Sequence, residues 1–149
     1  MRHKAVAILA LVLTACASDG QRAPAGLDPS FYGHWRNVET KIHRADGTLT
    51  LQPDFQCVSD VTEGQATSDC TLPNGTRSHI VSKIVSLTPT GYELEIVENA
   101  LAPQSVGLRS RVEYRIAGNK QFATVYPPQS AAPSAGAPVV KLETIYVRE

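Results

Sequence analysis

Three cysteines have the strongest intrinsic chemistry in this sequence, and their spacing limits what they can do. Cys57 and Cys70 are thirteen positions apart and flank a polar segment, far from the Cys-x-x-Cys spacing of redox and zinc sites. In an oxidising compartment this pattern predicts a structural disulfide, and closing a loop of about 14 residues contributes ~3 kcal/mol in the chain-entropy model. A metal site and a redox pair are the weaker alternatives.

Histidines, carboxylates and serines form no familiar catalytic set. His34, His43 and His79 have no HExxH or other close ligand spacing, so we predict no metal site, no catalytic residue and no cofactor. No Gly-x-Ser-x-Gly motif marks a nucleophilic serine. Glu93 and Glu95 alternate along one segment, as carboxylates on a solvated strand face do. A hydrolase or metal enzyme would need at least two of these five residues to converge in one cleft.

The charge balance argues against nucleic acid as a partner. The chain has 14 basic and 14 acidic residues, and removing Arg2 and Lys4 with a signal peptide leaves 12 against 14, a net charge of −2. Nucleic-acid binding needs a basic face, whereas the arginines of residues 109–115 alternate with Glu113 in the pattern of a solvated strand face.

The first 15 residues have the pattern of an export signal. A basic start, MRHK, precedes a run of 11 apolar or small residues, Ala5 to Ala15. A membrane-spanning helix needs ~20 apolar residues, so this run is too short to span and is typical of a signal-peptide core. We therefore predict that residues 1–15 are a cleaved signal peptide.

The end of this run, Leu13-Thr14-Ala15-Cys16, resembles the lipobox of bacterial lipoproteins. The resemblance implies cleavage before Cys16, diacylglycerol on its thiol and a further acyl chain, such as palmitate, on the new amino terminus. Several chains anchor durably, because one saturated chain binds a membrane only marginally. Ala17, in place of an aspartate, implies sorting to the outer membrane, facing the periplasm, if the host has two membranes. An ordinary secretory signal with a cysteine at its cleavage site is the alternative.

Composition divides the mature chain into a tether and one domain. Residues 16–30 include the stretch QRAPAGLDPS, whose proline, glycine and alanine predict a flexible tether. Residues 31–149 are long enough for one folded domain.

Short, partly alternating segments separated by turn residues predict that this domain is all-β. The segments are 33–44 continued by 48–51, then 56–62, 69–72, 79–87, 92–97, 109–116, 121–126 and 139–148. We expect an antiparallel meander of about eight strands that forms a barrel or a sandwich. A loop rich in proline, alanine and serine, residues 127–138, precedes the last strand.

Gly33-His34-Trp35 resembles the Gly-x-Trp signature of lipocalin-like barrels. The resemblance implies that a late arginine, Arg148, lies across the Trp35 ring and helps to close one barrel end. Such a cation–π contact is worth ~0.5–2 kcal/mol. The usual lipocalin C-terminal helix is not evident, and the alternative is that Trp35 anchors the core of another β-fold.

These observations predict a lipid-anchored envelope protein with a non-catalytic barrel. Its partners would be the membrane, through lipid on Cys16, and a small hydrophobic ligand or another envelope protein. An apolar pocket at an open barrel end would favour the ligand, and a filled core would favour protein contacts. The alternative function is inhibition of a protease or lysozyme, with the loop 127–138 or the segment between Cys57 and Cys70 as the inhibitory element.

Overall fold

Most of the chain forms one antiparallel sheet that closes on itself. The computed structural model describes residues 27–52, 55–128 and 136–149, so the predicted signal peptide, Cys16 and most of the predicted tether lie outside the described residues. The strands are β1 (Gly33–Arg44), β2 (Leu49–Leu51), β3 (Gln56–Val61), β4 (Gln65–Thr71), β5 (Arg77–Thr88), β6 (Gly91–Asn99), β7 (Arg109–Ala117), β8 (Lys120–Tyr126) and β9 (Val139–Arg148). Two short 3-10 helices cover Pro29–Phe31 and Pro103–Ser105.

The strands from β3 to β9 pair in sequence order, and β1 pairs with both β3 and β9. Eight strands therefore form a closed antiparallel barrel, while β2 is a short additional strand beside the end of β1. Closure removes the unpaired edges that an open sheet of this size would expose. The prediction of an all-β antiparallel meander is confirmed, and the architecture is a lipocalin-like barrel rather than a sandwich.

The apolar core lies at one end of the barrel, which we call the closed end. There the 3-10 helix Pro29–Phe31 covers the opening, and Phe31 is almost fully buried beside Trp35, Tyr92 and Val112. The aromatic ring of Phe31 lies 5.0 Å from that of Tyr92. Alternation along β7 turns Val112 inward, with its neighbours Tyr114 and Ile116 packed on the core, as the sequence predicts.

The folded part begins before the residue at which the sequence places it. Leu27 is buried in the core, and Asp28 caps the 3-10 helix by accepting a hydrogen bond from the Ser30 backbone N–H at 2.8 Å. Residues 27–30 of the predicted tether therefore belong to the closed end. The prolines and the glycine of residues 21–30 predict a segment without packing contacts, but the buried side chain of Leu27 attaches its last part to the core.

The prediction of a long polar loop between Cys57 and Cys70 is wrong, because most of that segment is strand. β4 begins at Gln65, four residues earlier than predicted, so the turn between β3 and β4 is only residues 62–64. Small side chains allow this, because Ser68 faces Ser59 across the ladder and their hydroxyls are 2.8 Å apart. The first half of β4 has few apolar residues, so alternation in the sequence does not reveal it, and backbone hydrogen bonds hold it in the sheet.

The irregular alternation of β5 also has a structural cause. Its pairing with β6 shifts register between Val81 and Ser82 and again between Ile84 and Ser86. The first shift leaves an extra residue, Val97, on β6, and the second leaves an extra residue, Val85, on β5, which changes which β5 side chains face inward from there on. One inward face therefore cannot be read from the β5 sequence.

Candidate binding surfaces of the barrel

Gly33, Trp35 and Arg148, the residues that the lipocalin resemblance singles out, lie together at the closed end. The Trp35 indole N–H donates to the Phe31 carbonyl at 2.8 Å, and the Arg148 guanidinium lies 4.5 Å from the centre of the Trp35 ring. Arg148 also donates to the carbonyl oxygens of Tyr32, at 3.1 Å, and Ser30. Gly33 has a φ of +119°, and a Cβ there would lie 3.0 Å from Arg148. The backbone of Gly33 thus leaves room for the arginine.

Among the described residues, a small cavity lies inside the barrel. Its volume is about 90 Å³, and it lies among the rings of Trp35, Tyr92 and Tyr146 and the hydroxyls of Ser59 and Ser68. Pockets for drug-sized ligands occupy ~300–1,000 Å³. The cavity is therefore too small for a lipid or for a typical small-molecule ligand, and it has room for a few waters.

Burial controls the chemistry of the tyrosines that border this cavity. Desolvation raises the pKa of Tyr92 well above its ordinary value, and the neighbouring Tyr146 and Tyr114 add to the rise. Burial likewise raises the pKa of Tyr146. Both hydroxyls therefore stay protonated at physiological pH, and neither is a candidate base.

Towards the opposite end, which we call the open end, polar side chains fill the interior. A register shift between β1 and β9 at Val38 allows both Asn37 and Thr40 to be buried. The Asn37 side-chain amide donates to the Thr40 hydroxyl at 2.8 Å, and that hydroxyl lies 3.3 Å from the hydroxyl of Thr144. These groups satisfy one another, so they form a packed polar layer rather than a vacant ligand site.

The predicted disulfide is confirmed, and its place is the hairpin of β3 and β4. Cys57 and Cys70 are direct partners in the ladder, both are buried, and their sulfurs are bonded. The bond therefore links two neighbouring strands close to the open end. Both cysteines are buried, which restricts the access that thiol–disulfide exchange requires and favours the structural interpretation over the redox alternative.

The three histidines among the described residues lie on different parts of the barrel wall, each beside a carboxylate of the neighbouring strand. His34 Nδ1 is 3.6 Å from Asp60, His43 Nε2 is 3.0 Å from Glu143, and His79 Nδ1 is 2.8 Å from Asp69. The hydrogen bond to Asp69 raises the pKa of His79. Within the ranges that the structure describes, no three His, Cys, Asp or Glu side chains are grouped as metal ligands would be.

The carboxylates and arginines singled out in the sequence occupy the outer wall. Glu93 accepts from the Ser86 hydroxyl at 2.7 Å, and Glu95 lies 2.8 Å from Arg109. Each of the five residues of which a hydrolase would need at least two to converge thus has its own separate partner: His34, His43, His79, Glu93 and Glu95. Two further arginines lie over aromatic rings: Arg111 over Tyr126, at 4.3 Å, and Arg115 over Phe122, at 4.1 Å.

Exposed apolar side chains gather at the open end. Among the described residues, nine large hydrophobic side chains are exposed, and six belong to strands or loops at this end: Leu49, Leu51, Val97, Leu101, Val106 and Val140. Among the same residues, only Leu87 is at the closed end. We call the six residues at the open end the open rim. They lie around the barrel end rather than in one patch, because Leu49 and Leu51 are beside β1, whereas Val97, Leu101 and Val106 belong to β6 and the segment after it, on the other side of the barrel. Exposed apolar side chains that are close together on a soluble domain are typical of interaction sites.

The sequence contains a signal for part of the open rim. It places Leu49 and Leu51 on one face of their strand, but alternation does not say whether that face is inner or outer. The structure puts both leucines outside, 56% and 54% exposed, because they pair with His43 and Lys41 of the outer face of β1. Only the ladder between the two strands decides this orientation.

No protein-family model matches this chain, and no curated protein is similar to it in sequence. In the part of the chain that the structure describes, no helix is long and apolar enough to cross a membrane.

Proposed function

We propose that this protein is a lipid-anchored envelope lipoprotein whose non-catalytic barrel binds another envelope protein through the part of its open rim formed by Val97, Leu101 and Val106. The observation that carries the proposal is a contrast between the inside and the outside of the barrel. The interior cavity is about 90 Å³, whereas six large apolar side chains are exposed at one end. The small cavity argues against a hydrophobic ligand inside the barrel, and the exposed apolar side chains favour a protein contact on its outside.

The position of the amino-terminal part of the folded domain supports a partner at the open end, because it would put the proposed lipid anchor at the closed end. Leu27, the first described residue, packs at the closed end, and Cys16 is eleven positions before it. A lipid on Cys16 would therefore attach the closed end to the membrane. The open rim would then point away from the membrane, towards other envelope proteins.

The anchor is tested by the intact mass of the protein purified from membranes of its native host. We expect a species that starts at residue 16 and carries acyl mass, and we expect the Cys16→Ala variant to lose that mass. An unacylated soluble product cleaved at another position would overturn the lipoprotein part of the proposal.

The binding part is tested by photo-crosslinking in intact cells of the host. A photoreactive amino acid is placed at Leu101 on the open rim, and the matched control carries it at Leu87, which is exposed at the closed end. We expect one discrete protein adduct from position 101 that is absent from position 87. Equal labelling at both positions, or none at either, would contradict a binding role for the rim.

Inhibition of a protease or lysozyme is the alternative function. One candidate element is weakened, because the segment between Cys57 and Cys70 is mostly strand rather than an exposed loop. The other candidate, loop 127–138, lies largely outside the described residues. Slowing of a protease or lysozyme by the purified protein at stoichiometric concentration would favour this alternative over the binding role.

A further inference from the structure

The short strand β2 exposes hydrogen-bonding groups along one edge. Thr50 pairs with Ile42 of β1, and flanking bonds run from Arg44 N–H to the Thr48 carbonyl, at 3.0 Å, and from Gln52 N–H to the Thr40 carbonyl, at 2.9 Å. Bonded pairs alternate with non-bonded pairs in an antiparallel ladder. Thr50 therefore directs its N–H and carbonyl towards β1, while Leu49 and Leu51 direct theirs away from it.

Among the described residues, no strand pairs with that outer edge of β2. The nearest strand in the barrel order on that side is β4, which ends at Thr71 opposite Gln56 and turns into β5. It therefore stops before it could run beside β2. Two N–H groups and two carbonyls remain, in the spacing that another extended strand requires.

We propose that this edge pairs with the same edge of a second copy of the chain. The two β2 strands would run antiparallel about a two-fold axis at Thr50, so that Leu49 of each copy is opposite Leu51 of the other. Each of these two pairs exchanges two N–H···O=C bonds, which gives four bonds in total. The edge fits itself, because its free groups are placed symmetrically on either side of Thr50.

The side chains around this edge suit the same partner. Leu49 and Leu51 are the two most exposed of the exposed large hydrophobic residues, and pairing would bring four leucines together on one face. The neighbouring charges are already balanced within the chain, since Lys41 lies 3.0 Å from Glu39 and His43 lies beside Glu143. Bringing two copies together therefore adds no unpaired charge of one sign.

The sequence of β2 lacks the features that usually protect an exposed strand edge. Residues 48–52 read Thr-Leu-Thr-Leu-Gln, without charge or proline. Residues 49–51 offer only two N–H groups on the free edge, so the pairing is short. A two-fold pair of this length is closed and cannot grow into a fibre, and its small size predicts a weak dimer.

Cysteine cross-linking tests the register directly. The full chain is prepared with Cys16→Ser and with the Cys57–Cys70 bond formed, so that an introduced cysteine is its one free thiol. In Thr50→Cys the two new thiols face each other across the proposed axis. In the matched control, Thr48→Cys, position 48 is opposite position 52 of the other copy, and the two thiols are about 14 Å apart along the strands. We expect Thr50→Cys to form the covalent dimer at least ten-fold faster than the control.

A second substitution separates strand pairing from random collision. Leu51→Pro removes an N–H on the free edge and leaves the bonds to β1 in place, because Leu51 and Lys41 are a non-bonded pair. We expect cross-linking of Thr50→Cys to fall to the control rate in this background. Sedimentation equilibrium at 10 µM to 1 mM should show a reversible dimer that Leu51→Pro removes, a concentration range chosen for a weak interface.

Equal cross-linking rates at positions 50 and 48, or a monomer at every concentration, would overturn the proposal. Cross-linking at position 50 to a different protein in cells, without a dimer of this chain, would also overturn it. Because Cys16 is replaced throughout, these outcomes do not depend on lipid anchoring.

Discussion

Arg148 and Trp35 are opposite each other on β9 and β1, and the guanidinium of the arginine lies 4.5 Å from the centre of the indole ring. The same guanidinium donates to the carbonyls of Ser30, within the 3-10 helix, and Tyr32, directly after it. The last residue of the final strand therefore holds together the start of the first strand and the segment that covers the closed end.

We expect Arg148→Ala to lower the free energy of unfolding by about 2 kcal/mol, from one partly exposed cation–π contact and the lost hydrogen bonds. Arg148→Lys should recover less than half of this, since an ammonium does not have the planar fork that reaches two carbonyls. Urea unfolding followed by the fluorescence of Trp35, the single tryptophan, measures both values.

Arg36→Ala is the matched control for this prediction. Arg36 pairs with Glu149 at 2.9 Å on the exposed surface, where such a pair is worth ~0–1 kcal/mol. Equal losses for Arg36→Ala and Arg148→Ala would show that the contact with Trp35 has no special role.

The disulfide should stabilise the barrel by restricting the unfolded chain. We expect replacement of both Cys57 and Cys70 with serine to cost ~3 kcal/mol, the value for a closed loop of about 14 residues. Chemical denaturation of this variant and of the reduced natural chain should give the same lowered midpoint. A midpoint that does not change would contradict a stabilising role for the disulfide.

Gly91 is required because another strand comes close to it. A Cβ at this position would overlap the Val112 carbonyl oxygen and lie 2.8 Å from its carbon and 3.0 Å from Glu113 Cα. These are backbone atoms of β7, which cannot move without disturbing the ladder. We expect Gly91→Ala to destabilise the protein by ~2–3 kcal/mol, as overpacked sites do.

The control for Gly91 is Gly64→Ala in the turn between β3 and β4. A Cβ at Gly64 meets no atom within 4 Å among the described residues, so the midpoint of thermal unfolding should not fall. If both alanine variants unfold at the natural midpoint, the close approach at Gly91 is not a constraint on the barrel.

The His79–Asp69 contact should give a measurable pH dependence. The hydrogen bond that the His79 ring donates to the Asp69 carboxylate raises the pKa of His79 above its ordinary value of about 6.5. A raised pKa means that the folded state holds the proton more tightly than the unfolded state does. The resulting stabilisation is complete below the unfolded pKa and is lost as the pH rises through the folded pKa.

NMR titration of the His79 ring checks this prediction. The pKa of His79 should lie above 6.5 in the natural protein and return towards it in Asp69→Asn, which keeps the shape of the side chain but not its charge. A His79 pKa that is the same in both proteins would show that the contact does not persist in solution.

Local patterns in the sequence were enough for much of the fold. The bounds of β1 and β9 are those predicted, 33–44 and 139–148, since turn residues border both strands. Alternation also assigned Val112 to the core and His34 to solvent. These features depend on residues within a few positions of one another, because a strand places successive side chains on opposite faces.

The sequence by itself also supplied the residues for three features. These are Cys16 for the proposed anchor, Cys57 and Cys70 for the disulfide, and Trp35 and Arg148 for the cation–π contact. Only the tertiary structure decided that β1 meets β9 to close a barrel, that Leu27 belongs to the core, and that the interior leaves about 90 Å³. It also decided that Leu49 and Leu51 face outward. The physical reason is that closure, cavity volume and strand orientation depend on the register between strands far apart in the chain, and alternation within one strand carries no information about that register.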